Sequence, residues 1–302
     1  MTAVDLFAGL GGFTEGARMA DVNVIWAANH WQTSVDFHSL NHPGTAHICQ
    51  DLNQFPWVKL PPHDLMLIAF CCHGFTRARG KDQPRHATSR STAWAAVAAL
   101  EIARPPVVII ENVPDIKRWP LWQAWCDAIR AMGYAISSNV LDAADAGVPQ
   151  NRLRIFIVLT RSKAPLTIRL HKQKHVGVRE LIRWDVYPWL PVAEKCANTQ
   201  ARVANGRAAF GDRFIMPYYG SGSGLTGRSL DRPMGTITTR ARWGVVDGDR
   251  QRMLQPAELA EAMSFPRGYK LPPQVMVANQ MLGNAVCPLH AAQIIREVKE
   301  AA

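Results

Sequence analysis

Cys71-Cys72-His73-Gly74-Phe75-Thr76 sets two thiols at the end of an apolar run, with Arg77, Arg79, Lys81, Arg85 and Arg90 following. The thiolate is the nucleophilic form of cysteine, and nearby cations lower the pKa that governs its formation. Taken alone, the segment could equally hold two structural thiols. Glu111-Asn112-Val113-Pro114 places a carboxylate at the end of a second apolar run. Gln150-Asn151-Arg152-Leu153-Arg154 leads into a third, and alternation along an extended chain puts Gln150, Arg152 and Arg154 on one face. A surface acid and a few solvated bases are the plainer readings. The remaining element is the glycine-rich turn FAGLGGF at 7–13, where Gly9, Gly11 and Gly12 permit a tight turn and close approach of a ligand to the backbone. An ordinary strand-to-helix turn would look much the same. The phosphate-binding forms GxGxxG and GxxxxGK[ST] are both absent, which disfavours a nucleotide triphosphate.

These residues need elements to position them. Strands are expected at 3–7, 22–27, 64–70, 106–110 and 154–160, and helices at 12–20, 31–40, 91–103 and 119–132. The strand runs are almost continuously apolar, as in a sheet covered on both faces, and the alternation of strand and helix predicts an α/β, doubly wound parallel sheet. Ligands of such a sheet bind at the carboxyl ends of its strands, where the glycine turn, the thiols and the carboxylate all fall. From about 161 to 255 the helical periodicity fades and Gly, Pro, Tyr and Arg become frequent, which predicts a loop-rich second domain with short strands. Helices return at 256–265 and 288–300. Trp184, Tyr187 and Trp189 read as core rather than as a base-stacking platform.

The chain has 302 residues, enough for about two domains of ~150 residues. Apolar residues make up 48%, so a sizeable core is available and wholesale disorder is excluded. No apolar stretch approaches the roughly 20 residues of a membrane span, no signal peptide is expected, and the cysteine spacing suggests neither a disulfide scaffold nor a metal site. A cytosolic protein with reduced thiols is expected. The net charge of +10 is concentrated in 73–92 and 161–231, the latter holding 12 Lys and Arg against 5 acids. Two basic segments beside a near-neutral remainder point to a polyanionic partner, nucleic acid foremost.

Taken together, the motifs resemble the cytosine-5 DNA methyltransferase family of bacterial and phage type. FAGLGGF is similar to that family's cofactor loop, CCHGFT to its PCQGFS catalytic segment, and IENV and QNRLR to its next two signatures. Arg232-Pro233 with Thr236 to Thr238, and Gly283-Asn284-Ala285-Val286, are similar to its last two, in the correct order. The resemblance implies a Rossmann-like domain that binds S-adenosylmethionine, together with a smaller target-recognition domain. It also implies a cytosine rotated out of the duplex. Cys72 would attack the base, Glu111 would hold its ring nitrogen 3 and amine, and Arg154 with Arg152 would bind the carbonyl oxygen and a nearby phosphate. Phe7, Gly9, Leu10, Gly11, Asn29, Asp51, Asn284 and Val286 would bind the donor. Thr76, Arg77, Arg79, Lys81 and Arg90 would contact DNA.

Three departures stand out: Cys71 replaces the family proline, His73 the glutamine, and Asn29 the acid that grips the donor ribose. The expected domains are 1–160 plus 272–302 for catalysis and 161–271 for target recognition. The expected function is methylation of carbon 5 of cytosine in a specific duplex DNA sequence, by a monomer serving a restriction-modification system or acting alone in a bacterium or phage-infected host. An RNA cytosine-5 methyltransferase and a non-catalytic DNA-binding paralogue are the alternatives.

Overall fold

The computed structural model describes residues 1–75, 84–162, 164–218 and 227–301. They form two compact units. One comprises Met1–Asp142, Leu153–His171 and Val286–Ala302, the other Ala143–Arg152 and Lys172–Ala285. The boundaries therefore differ from those expected at 160/161 and 271/272.

In the first unit β1 (Thr2–Leu6), β2 (Asn23–Asn29), β3 (Ala46–Cys49), β4 (Leu65–Ile68), β5 (Val107–Asn112), β6 (Ala135–Asp142) and β7 (Leu153–Thr160) form one sheet. Its order is β3-β2-β1-β4-β5-β7-β6. β1 to β5 are mutually parallel. The sheet is largely parallel, as expected, but β7 runs antiparallel to both β5 and β6. The physical reason is the link between β6 and β7. It carries no crossover helix, and a parallel pair requires one.

The helices α1 (Gly12–Met19), α2 (Gln32–Asn41), α3 (Pro84–Ala103) and α4 (Trp122–Ala131) follow β1, β2, β4 and β5. Alternation along β4 sends Met66 and Ile68 into a core with Ala96 and Leu100 of α3 and Trp125 and Ile129 of α4. Leu65 and Leu67 enter a second core on the other face, with Phe13 and Ala17 of α1. All four β4 side chains are fully buried, each stabilising the fold by ~1.5–3 kcal/mol. A strand covered on both sides has no polar alternation, which is why these runs read as continuously apolar.

The second unit is built on an antiparallel sheet of β8 (Leu190–Pro191), β9 (Arg213–Pro217), β10 (Trp243–Asp247) and β11 (Arg250–Met253), ordered β8-β11-β10-β9. It also contains α5 (Ala197–Phe210), α6 (Pro256–Ala262) and α7 (Val275–Asn284). α5 falls in the region expected to be loop-rich, and no helix was expected at α7 either. α5 buries only Val203 and Gly206, so it has no apolar stripe to read, and the core it joins is small: Val203, Phe214, Met216 and Val246. The chain ends in the first unit with α8 (Pro288–Ala301), whose Ala291, Ile294 and Ile295 complete the α1 face. No described helix is long and apolar enough to cross a membrane.

Candidate functional site

The Cys71-Cys72 segment follows the end of β4. Because β4 and β5 are parallel with Ile68 opposite Ile110, the chain segments leaving them start side by side. Asn112 is fully buried and joins them: its Nδ2 donates to the Phe70 carbonyl at 3.0 Å, and its Oδ1 accepts from the Val113 amide at 2.9 Å. Asn112 was not assigned a role from sequence, although its place directly after Glu111 was the available signal. Cys71 and Cys72 are both half-buried. The Phe75 amide donates to the Cys72 carbonyl at 2.9 Å, closing a turn. Gly74 leaves no room for a side chain, since a Cβ there would sit 2.7 Å from the His86 carbonyl. Arg90 Nη1 donates to the Gly74 carbonyl at 3.3 Å, so the turn is pinned to α3. For Cys71, burial pushes the thiol pKa up, but hydrogen bonds from His73 and Ser89 outweigh this and leave it below the ordinary value.

Glu111 and Arg154 form an ion pair, Oε1 to Nε 2.9 Å, with side chains only 10% and 14% exposed. Glu111 ends β5, and Arg154 lies near the start of the antiparallel neighbour β7, so pairing of Asn112 with Ile155 brings the two together. Because an ion pair this sheltered is screened little by salt, each partner fixes the other. Together they offer one acceptor and several donors beside the Cys72 segment. A flat polar edge such as that of cytosine could use both.

Arg152 is placed differently. Expected beside Arg154 on the base, it instead lies buried in the second unit, donating to the carbonyls of Ile237 (3.0 Å), Gly283 (2.8 Å) and Ala285 (2.9 Å). Gln150 Oε1 accepts from the Ile237 amide at 2.8 Å, and Thr236 donates to the Asn151 carbonyl at 2.8 Å. Three motifs far apart in sequence are thus bonded into one patch, which explains both the spacing of QNRLR and the membership of residues 143–152 in this unit. Gln150 and Arg152 both bond to Ile237, whereas Arg154 pairs with Glu111.

The glycine turn departs from ordinary backbone at Phe7 (φ 60°), Gly9 (φ 54°) and Gly11 (φ 95°). For phenylalanine this left-handed conformation is strained, and such strain clusters at ligand sites. A Cβ on Gly9 would meet nothing closer than 3.9 Å, so open space adjoins the loop there. Gly12 serves packing instead: a Cβ would lie 2.0 Å from the Val286 carbonyl. The side chains of Leu10 and Val286 are buried. Asn29 ends β2 and its Oδ1 accepts from the Trp31 amide at 2.9 Å, so its Nδ2 is the group left for a hydroxyl oxygen. Asp51 is exposed and caps a short turn through Asn53, accepting at 2.9 Å from the amide and 2.8 Å from Nδ2. Asn284 is exposed at the end of α7.

Of the five residues expected on DNA, Thr76, Arg77, Arg79 and Lys81 lie outside the described residues, and Arg90 bonds to the turn that follows Cys72. Trp184 and Trp189 stack with centroids 6.0 Å apart and 8° between planes. Arg213 lies over Trp184 at 4.5 Å and Arg250 over Trp189 at 4.9 Å, with Asp247 paired to both arginines. Both tryptophans, like Tyr187, are half-buried and lie outside the buried core of the second unit, where they were expected.

A family model described as C-5 cytosine-specific DNA methylase matches residues 1–181 and 197–300. The chain belongs to this family. Full-length relatives include the Type II methyltransferases M.NlaX of Neisseria lactamica, 25% identical over 98% of this chain and 94% of its own, and M.HhaI of Haemophilus parahaemolyticus, 25% identical over 94% and 89%. The fold is shared with a prophage-encoded DNA modification methyltransferase of E. coli (16% identity, TM-score 0.72, 99% of both chains). It is shared also with Spodoptera frugiperda DNMT2 (17% identity, TM-score 0.70, 99% of both chains). The enzyme is a cytosine-5 methyltransferase whose methyl donor is S-adenosylmethionine. The left-handed turn, the open space at Gly9, the Asn29 amide and the exposed Asp51 carboxylate fit that donor: close backbone approach, a hydroxyl partner and an amine acceptor.

Proposed function

We propose that this methyltransferase acts on a specific duplex DNA sequence, rotates the target cytosine out of the helix and methylates it through a covalent adduct with Cys72. Cytosine carbon 5 is a poor nucleophile. Attack of the Cys72 thiolate on carbon 6 converts the ring to an enamine whose carbon 5 is nucleophilic. Glu111 accepts a hydrogen bond from the exocyclic amine and, entering the step protonated, gives its proton to ring nitrogen 3 as the thiolate adds, taking it back when the thiolate leaves. Arg154 binds the carbonyl oxygen, so charge developing on the ring meets preorganised donors. S-adenosylmethionine, when bound, supplies the electrophilic methyl group. Loss of the carbon 5 proton to a base then expels the Cys72 thiolate and restores the aromatic ring. Phe7, Gly9, Leu10, Gly11, Asn29, Asp51, Asn284 and Val286 hold the donor, and the second unit reads the target sequence.

The observation that carries this reading is the sheltered Glu111–Arg154 pair, with Glu111 on the strand beside the one that leads to Cys72 and Asn112 tying that segment to β5. The test is duplex DNA carrying 5-fluorocytosine at the target, incubated with donor. Fluorine cannot leave as the proton does, so a denaturation-resistant adduct should form and peptide mapping should place it on Cys72. An adduct on Cys71, or no adduct on DNA that the enzyme methylates when unfluorinated, contradicts the mechanism.

A further inference from the structure

Asp5 on β1 is fully buried, and nothing in the methyl-transfer chemistry uses it. Burial pushes its carboxyl up to about 7 against the pull of its Thr14 hydrogen bonds, and its Oδ1 has no partner. Thr14 Oγ1 donates to Asp5 Oδ2 at 2.8 Å. A hydroxyl has one proton, so Thr14 must accept from His38 Nε2, 3.1 Å away. Burial first, then the nearby His42 and His47, depress the His38 pKa well below its ordinary value, so the ring is neutral. With its proton on Nε2, His38 Nδ1 is bare and accepts from His47 Nε2 at 2.7 Å. Four residues from β1, α1, α2 and β3 are thereby joined in one direction, ending at the half-buried His47 on the sheet edge.

The glycine turn lies between the first two members of this chain. The Asp5–Thr14 bond closes the base of a segment containing three left-handed residues, Phe7, Gly9 and Gly11. Backbone bonds at the turn include Ala8 donating to Ala28 and Gly11 to Ala8, each at 2.9 Å, and Glu15 to Gly11 at 2.8 Å. A strained loop persists only where its surroundings over-determine it, and this network is the surrounding structure.

We propose that Asp5, Thr14, His38 and His47 are positioning residues for the methyl donor, their hydrogen-bond chain holding the 7–11 turn in its donor-binding conformation. The proposal rests on the reading of that turn as the donor site. None of the four touches the reacting atoms, so the signature is a split between donor affinity and turnover. Calorimetric titration with S-adenosylmethionine should show Thr14→Val binding about tenfold more weakly, the scale of one lost buried hydrogen bond, with Thr14→Ser close to wild type. At saturating donor the turnover of Thr14→Val should stay within about twofold of wild type, the effect lying in KM. His47→Phe removes the last donor at the sheet edge without disturbing the core, and should weaken donor binding in the same direction. It decides the matter if Thr14→Val does not fold. Unchanged affinity in Thr14→Val and His47→Phe, or a Thr14→Ser defect as large as that of Thr14→Val, overturns the proposal. Wild-type protein that binds no donor overturns the reading of the turn itself.

Discussion

Two adjacent thiols stand where the chemistry needs one, and their surroundings separate them. Cys71 is bonded to His73 and Ser89, which hold its pKa below the ordinary value despite burial. A thiolate stabilised in this way is also less nucleophilic, because reactivity falls with basicity. Cys72 begins the turn that Phe75, Gly74 and Arg90 fix against α3, so its place is set by backbone packing. Methyl incorporation from labelled donor should therefore vanish in Cys72→Ser and persist at a measurable level in Cys71→Ser. An active Cys72→Ser enzyme would move the nucleophile elsewhere.

At the scale of elements, the approach of α1 to the start of α8 depends on a missing side chain. Gly12 needs no unusual backbone angle, yet a Cβ there would lie 2.0 Å from the Val286 carbonyl. Gly12→Ala must push the two segments apart, and such overpacking costs about 1–3 kcal/mol. Urea unfolding should show a lower midpoint with an unchanged slope; an unchanged midpoint would mean that the contact yields freely. The sequence made the central strands legible because burial on both faces leaves an unbroken apolar run. It hid β3 and β6, the two edge strands, where a single neighbour permits short or polar segments such as Ala135–Asp142. It also hid the reversal of β7, since direction is set by the connection and not by the strand's own residues. Glu111 and Arg154 were each legible as candidates because each flanks an apolar strand, but their ion pair was not. Nor was the place of Arg152, because its partners are carbonyls of residues 85 to 133 positions away, which no local pattern reports.

The whole molecule records the buried network in its stability. His42 is depressed to about 4 by burial, with His38 and His47 also lowered, while Asp5 is raised to about 7. The histidines' contribution is fully present above about pH 6.5 and is lost as pH falls toward 4, because the unfolded chain then binds protons that the native state refuses. Asp5 acts in the opposite sense: its contribution is present below about pH 4 and is lost as pH rises to 7. Between pH 4 and 7 its ionisation opposes folding by on the order of 4 kcal/mol. Asp5→Asn should therefore gain stability relative to wild type on going from pH 4.5 to 7.5 in urea unfolding. An equal difference at both pH values would show that Asp5 does not titrate there. The whole chain must also perform the reaction on its proper substrate. Purified enzyme given labelled S-adenosylmethionine, with mixed genomic DNA in one arm and transfer RNA in the other, tests this most directly, with bisulfite sequencing of the DNA as readout. The account predicts label in duplex DNA and protected cytosines within a single recurring sequence. Label confined to the RNA, or DNA left fully convertible by bisulfite, would contradict it.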